Sequence, residues 1–358
     1  MFFIGFLRIK EEEAIYNKTN FNFNNEFNIY FPLYLTNSLN NIFEEITQIR
    51  LYAKAINNNN TSENRVIDID QDNINIDNKN ININSLKDLF KDLLFQLENI
   101  LYKDLLFSNI KELNLNINNI KDDINNCQIG FSFINYYNKE QDLDIYKDLL
   151  INKLSIKESL ISKTLIKDIN NNNIIFKESN IKELFNNRTK FLELLLALIY
   201  MSSRAPIRGE EIILLEYFNT LINNKRNIFI EPSNSNLIRL TTNYYKSYNI
   251  TRINKTNFKF LCPKLSNILK IYLLIFIPLY NYINIEFYKT NMISSYLFEN
   301  KGIKYTSIRL SSILKTITLK ELGEEISINP YRHLIIYIIK NRINLNYNSD
   351  NSNLIEDI

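Results

Sequence analysis

Three cations stand where folding could bring them together. Arg208 opens a helical run, Lys246 ends a β-like run, and Arg332 sits in the first turn of the last long helical pattern, beside His333, the chain's single histidine. Two guanidinium forks and an ammonium around one point suit a phosphate whose charge grows as it reacts. The forks grip equatorial oxygens in pairs, and the ammonium delivers a proton to the leaving oxygen. Each cation taken singly also has a plainer reading: Arg332 pairs with Glu324 or Glu325, His333 is a half-buried side chain, and Lys246 guards a β edge. Other chemistries are poorly served. Five glycines leave no Gly-rich phosphate loop, and one histidine leaves no Cys/His zinc set. Neither a metal nor a cofactor is expected. Cys127 and Cys262 make no disulfide framework and suit a reducing compartment. The pairs Glu210/Glu211 and Glu324/Glu325 lie near helix starts, where the macrodipole favours carboxylates.

Charge is unevenly spread. The net charge is only +3, but residues 1–200 hold 22 Lys and Arg against 27 Asp and Glu, while residues 201–358 hold 20 against 12. Between residues 225 and 270 stand Lys225, Arg226, Arg239, Lys246, Arg252, Lys255, Lys259, Lys264 and Lys270, with Glu231 the lone acid. Such a run is either a solvated basic face or a phosphate-binding stripe that gains affinity by releasing counterions. On the second reading Lys225, Arg226, Arg239, Arg252, Lys255 and Lys259 contact DNA.

The elements that must position these groups are mostly helical. With 45% apolar and 23% charged residues, the 358-residue chain has a globular composition and room for more than one domain. Periodicity predicts helices over 36–53, 85–102, 142–154, 191–201, 208–221, 266–277, 285–298, 306–320 and 330–344. In the second of these, Leu86, Leu89, Phe90, Leu93, Leu94 and Leu97 form an apolar stripe, with Ser85 as its cap. Two β-like runs, 227–231 and 237–245, are joined by Pro232-Ser-Asn-Ser-Asn, which has hairpin chemistry. The Asn/Asp/Ile tract over 57–82 reads as a mobile insertion in an acidic, Asn-rich helical region, 1–120. A helical segment, 121–185, follows, and the cations of interest fall in 186–358. The uncharged run 271–285 is short for a span and contains Pro278, so it is expected as a buried helix, with no membrane partner. The apolar N-terminus lacks the basic n-region and the length of a signal peptide.

Several segments resemble tyrosine recombinases. Arg204-Ala-Pro-Ile-Arg208-Gly-Glu-Glu-Ile resembles that family's first arginine box, in which the arginine leads a helix carrying a Glu. Residues 227–230 and 237–247 resemble the hairpin that presents the catalytic lysine, here Lys246. Phe258-Lys-Phe-Leu-Cys-Pro263 is similar to the strand after it, and Asn329-Pro-Tyr-Arg332-His333 resembles the second box, normally His-x-x-Arg. A closer likeness is to the degenerate recombinase-like domain of large fungal proteins that often carry a RecQ-type helicase region. Its cues here are Gly130-Phe-Ser-Phe with Asn138, Arg208-Gly-Glu-Glu-Ile, Arg226-Asn-Ile-Phe-Ile, Tyr244-Tyr-Lys246-Ser and Tyr331-Arg332-His333, over roughly 125–345.

The resemblance implies a mostly α fold with a small antiparallel β-sheet, in which a recombinase-like catalytic domain at 186–358 follows a helical N-terminal region and a core-binding-like segment at 121–185. It implies that Arg208 and Arg332 hold a scissile phosphate, that Lys246 protonates the leaving hydroxyl, and that a tyrosine attacks to form a 3′-phosphotyrosyl link. Asn329 replaces the box-two histidine, although His333 is adjacent. The family's nucleophile lies a further helix beyond the second arginine, and Tyr337 and Tyr347 both come too early; the chain is therefore expected to be inactive or cut short at its C-terminus. The function expected is a mobile-element-derived, DNA-binding protein without strand cleavage. Its partner would be double-stranded DNA, on which it could form a homo-oligomer, and its location nuclear. The alternatives are an active recombinase using another tyrosine, its own or a neighbouring subunit's, and an interaction module whose cations are incidental.

Overall fold

The computed structural model describes residues 10–17, 22–25, 49, 66–69, 72–108, 120–135, 144–170, 173–203, 207–222, 225–233, 237–242, 256–290 and 294–341. The chain divides into two compact units, Met1–Ile67 and Asp68–Ile358. In the first, residues 10–16 are helical, and Lys10 pairs with Glu13 at 2.7 Å one turn away. The expected helix over 36–53 lies almost wholly outside the described residues.

The second unit opens with an antiparallel hairpin, β1 (Asn73–Ile76) and β2 (Lys79–Asn82). Its two turn residues, Asp77 and Asn78, have φ of 50° and 64°, the left-handed pair that a tight hairpin turn requires. Ile74, Ile76 and Ile81 are buried. This corrects the expectation of an insertion through residue 82: alternating isoleucines close a small sheet despite the Asn-rich background. Asn82 then accepts from the backbone N–H groups of Asn84 and Ser85 and so caps α1 (Ile83–Asn99), three residues before the expected cap. Leu86, Leu89, Leu93 and Leu97 form its buried stripe. A π-helical turn, Ile100–Leu105, continues the helix.

α2 (Asp144–Leu154) and α3 (Leu160–Leu165) lead into the hairpin β3 (Ile166–Asn170) and β4 (Asn173–Phe176). The central helix α4 (Glu178–Ser202) is 25 residues long and runs unbroken past residue 186, burying Ile181, Leu184, Leu195, Ile199 and their neighbours. The next helix departs from expectation. Periodicity predicts 208–221, yet only one turn forms, α5 (Gly209–Ile212). Leu215, Glu216 and Tyr217 are all buried, and this segment instead runs extended beside residues 295–297, with Leu297 N donating to Leu215 O (2.8 Å) and Tyr217 N to Ser295 O (3.0 Å). The same pairing removes the expected helix over 285–298.

A three-stranded antiparallel sheet follows in the order β5 (Ile228–Ile230), β6 (Ile238–Thr242), β7 (Asn257–Phe260). Then α6 (Pro263–Ile271), a π-helical stretch (Tyr272–Phe276) and α7 (Ile277–Glu286) form one apolar run. By length and composition that run could cross a membrane, but 72% of its most apolar window is buried inside the fold. Phe191 of α4 stacks on Tyr272 with ring centroids 4.7 Å apart. The short hairpin β8 (Glu299–Asn300) and β9 (Ile303–Lys304) precedes α8 (Ser307–Leu322), which is capped by Thr306 and ended by the left-handed Gly323. α9 (Ile328–Asn341) completes the described chain. The described architecture is mostly helical with small antiparallel sheets.

Candidate functional site

Arg208 is the N-cap residue of α5, in extended conformation, with its side chain 35% exposed and one guanidinium nitrogen 3.9 Å from Glu211. Gly209 explains the placement. A Cβ there would lie 3.2 Å from Ser307 Cβ and 3.3 Å from Ile328 Cδ1, so the missing side chain lets α5 press against the first turns of α8 and α9. Ser307 Oγ donates to Glu210, tying the same two elements.

Arg332 lies one turn beyond Ile328 on α9 and is half-buried; His333 beside it is exposed. Two phenols lock this turn to the end of α4. Tyr200 OH donates to Ile328 O (3.0 Å), Tyr331 OH donates to Met201 O (2.9 Å), and the two rings lie 5.7 Å apart. Burial pushes the Tyr200 phenol well above its ordinary range, against the opposing pull of the Arg332 charge. Burial raises Tyr331 similarly. Both phenols therefore stay protonated near neutral pH and act as hydrogen-bond donors.

Glu211 joins the sheet to this corner. It is 8% exposed and accepts from Thr242 Oγ1 at 2.9 Å. Thr242 ends β6, four residues before Lys246. Lys259 projects from β7 opposite Leu240, and burial pushes its ammonium below the ordinary lysine range while Glu211 pulls it back up. Thr242 thus bonds to a buried carboxylate that also lies 3.9 Å from Arg208 and whose charge acts on Lys259. Lys246, Arg252 and Lys255 lie outside the described residues. The sequence reading assigned Glu210 and Glu211 to the helix dipole and missed both contacts; the spacing of Arg208 and Glu211, one helical turn apart, was the available signal.

The basic stripe divides. Lys225 is exposed. Arg226, expected at the DNA, is a correction: it is 2% exposed, bonded to Asp122, Asn219 and Ile228 O, and set against the rings of Phe131 and Phe229 at 5.0 and 4.6 Å. A guanidinium so enclosed is a structural clamp. Arg239 is mostly covered, 3.5 Å from Glu231, and Lys270 is fully buried. Lys264 reaches Glu98 at 3.1 Å.

A separate cavity of about 270 Å³ opens beside β8 and β9, lined by Phe185, Tyr280, Tyr288, Glu299 and Lys301 among others. Behind it Arg188 of α4 is buried, bonded to Glu299 and to Tyr272 OH, and lies 3.9 Å over the Tyr280 ring. Among the described residues no three His, Cys, Asp or Glu side chains form a group that could hold a metal ion. The chain matches no family model, no curated protein and no solved structure.

Proposed function

We propose that this chain is a DNA-binding protein of tyrosine-recombinase-like build that grips a duplex phosphate without cutting the strand. The observation that supports it most is the seating of α5 on α9 at Gly209, which sets the elements bearing Arg208 and Arg332 side by side. Two guanidinium forks there suit a phosphate diester. Glu211 adds the sheet from whose β6 the chain leads to Lys246. Absence of cleavage is favoured by the phenols at this corner, since Tyr200 and Tyr331 are held neutral and already donate to backbone carbonyls. Tyr347 lies outside the described residues. On this reading the partner is double-stranded DNA and the location nuclear.

A nicked duplex that traps any covalent intermediate tests both halves. The expected result is salt-sensitive duplex binding, weakened in Arg208→Ala and Arg332→Ala, with no protein–DNA adduct surviving denaturing electrophoresis. An adduct lost in a Tyr→Phe variant would show an active recombinase instead. Failure to bind duplex even at low salt would favour the interaction module.

A further inference from the structure

One face of the three-stranded sheet sets an arginine among aromatic rings. In register, Phe229 of β5 lies opposite Arg239 of β6, which lies opposite Phe260 of β7, while Thr241 lies opposite Phe258. Side chains directly opposite in an antiparallel pair share a face. Arg239 lies 5.4 Å from the Phe229 ring and 5.2 Å from the Phe258 ring, and Arg226 lies 4.6 Å from the Phe229 ring. The inner end of this ladder is buried, but its outer end is open: Phe258 and Phe260 are 53% and 55% exposed on an edge strand. Arg239 Nε and Thr241 Oγ1 beside them are buried without a hydrogen-bond partner among the described residues.

We propose that this face is a stacking platform for unpaired nucleotide bases, with Phe258 and Phe260 as the platforms and Arg239 and Thr241 supplying polar contacts. The proposal shares with the preceding section only the premise of a nucleic-acid partner. Three features favour bases over an apolar protein segment. Although Arg226 and Lys270 are enclosed and Arg239 lies 3.5 Å from Glu231, Lys225 and Lys264 of the basic run are exposed, and a polyanion complements them. The Phe258 ring comes with the Arg239 guanidinium 5.2 Å from its centroid, and rings with a nearby guanidinium bind single strands by base stacking and cation–π attraction. The two residues also stand ~6.6 Å apart along the strand backbone, so their rings offer two separate faces that flexible, unpaired bases can occupy one each. Exposed phenylalanines on an open strand edge also invite self-association unless a ligand covers them.

The experiment measures anisotropy of a fluorescein-labelled oligothymidylate of about 15 nucleotides, beside a duplex of the same length, with the full chain. Phe258→Ala/Phe260→Ala is expected to weaken single-strand binding about tenfold or more and to leave duplex binding unchanged. Both side chains are exposed, and circular dichroism verifies that the fold persists. The Tyr/Tyr pair, which keeps both π faces, retains binding; the Leu/Leu pair, which keeps apolar area alone, loses it. Wild-type single-strand affinity in the Ala/Ala or the Leu/Leu variant overturns the proposal. Wild-type protein that fails to bind the single strand overturns it also. A chain that binds the single strand but no duplex keeps this platform and removes the function proposed above; the reverse result does the opposite.

Discussion

Arg226 stands in the middle of the basic run, yet its guanidinium is committed to Asp122, Asn219 and two rings. Removing one member of such a pair leaves the other charge buried and alone, which costs about 3–5 kcal/mol. Arg226→Met should therefore lower the urea midpoint markedly. Lys270 is also enclosed, a lysine at full burial whose ammonium is pushed down to about 8 by desolvation. In the unfolded chain it keeps its proton up to about 10.5. Between those two values the unfolded state binds more protons than the native one, so stability rises with pH through that window. Urea unfolding at pH 8, 9 and 10 should show the rise, and Lys270→Met should flatten it.

The elements that position the site are held by packing that a one-dimensional pattern does not encode. Gly209 is the clearest instance. A methyl group there meets Ser307 Cβ at 3.2 Å and Ile328 Cδ1 at 3.3 Å, so in Gly209→Ala those side chains of α8 and α9 must give by a few tenths of an ångström. The expected loss is about 1–3 kcal/mol from overpacking, with weaker duplex binding although no charge has changed; a thermal melt and a binding isotherm read the two effects. Periodicity made α1, α8 and α9 legible, because each has a one-sided apolar stripe and a side-chain cap or a proline near its start. It misread 208–221 and 285–298, where consecutive residues such as Leu215, Glu216 and Tyr217 are all buried and bond to a distant segment. Tertiary pairing there overrides local preference. The candidate site was legible in its arginines, which stand out by position and charge. It was illegible in Glu211, whose role depends on Thr242 arriving from the sheet, and in Arg226, which charge alone cannot tell from a surface cation.

Across the whole molecule, the sequence separates an acidic front from a basic rear, but the fold decides which of those cations meet a polyanion. Each lysine or arginine that neutralises a phosphate releases counterions, so the logarithm of duplex affinity falls with the logarithm of salt at a slope of about −0.9 per contact. Counting the basic run from the sequence treats its nine cations as equal. The structure separates them: Arg226 and Lys270 are enclosed, Lys264 pairs with Glu98, and Lys225 faces solvent. Removing an exposed contact should lower the slope by about one, whereas removing an enclosed cation should change stability and leave the slope alone. Binding isotherms over a salt series should therefore show a shallower slope for Lys225→Ala and an unchanged slope for Arg226→Met, measured where each variant remains folded. A shallower slope in Arg226→Met would mean that its guanidinium leaves Asp122 to reach DNA, and equal slopes in both variants would place the duplex on a different face of the protein.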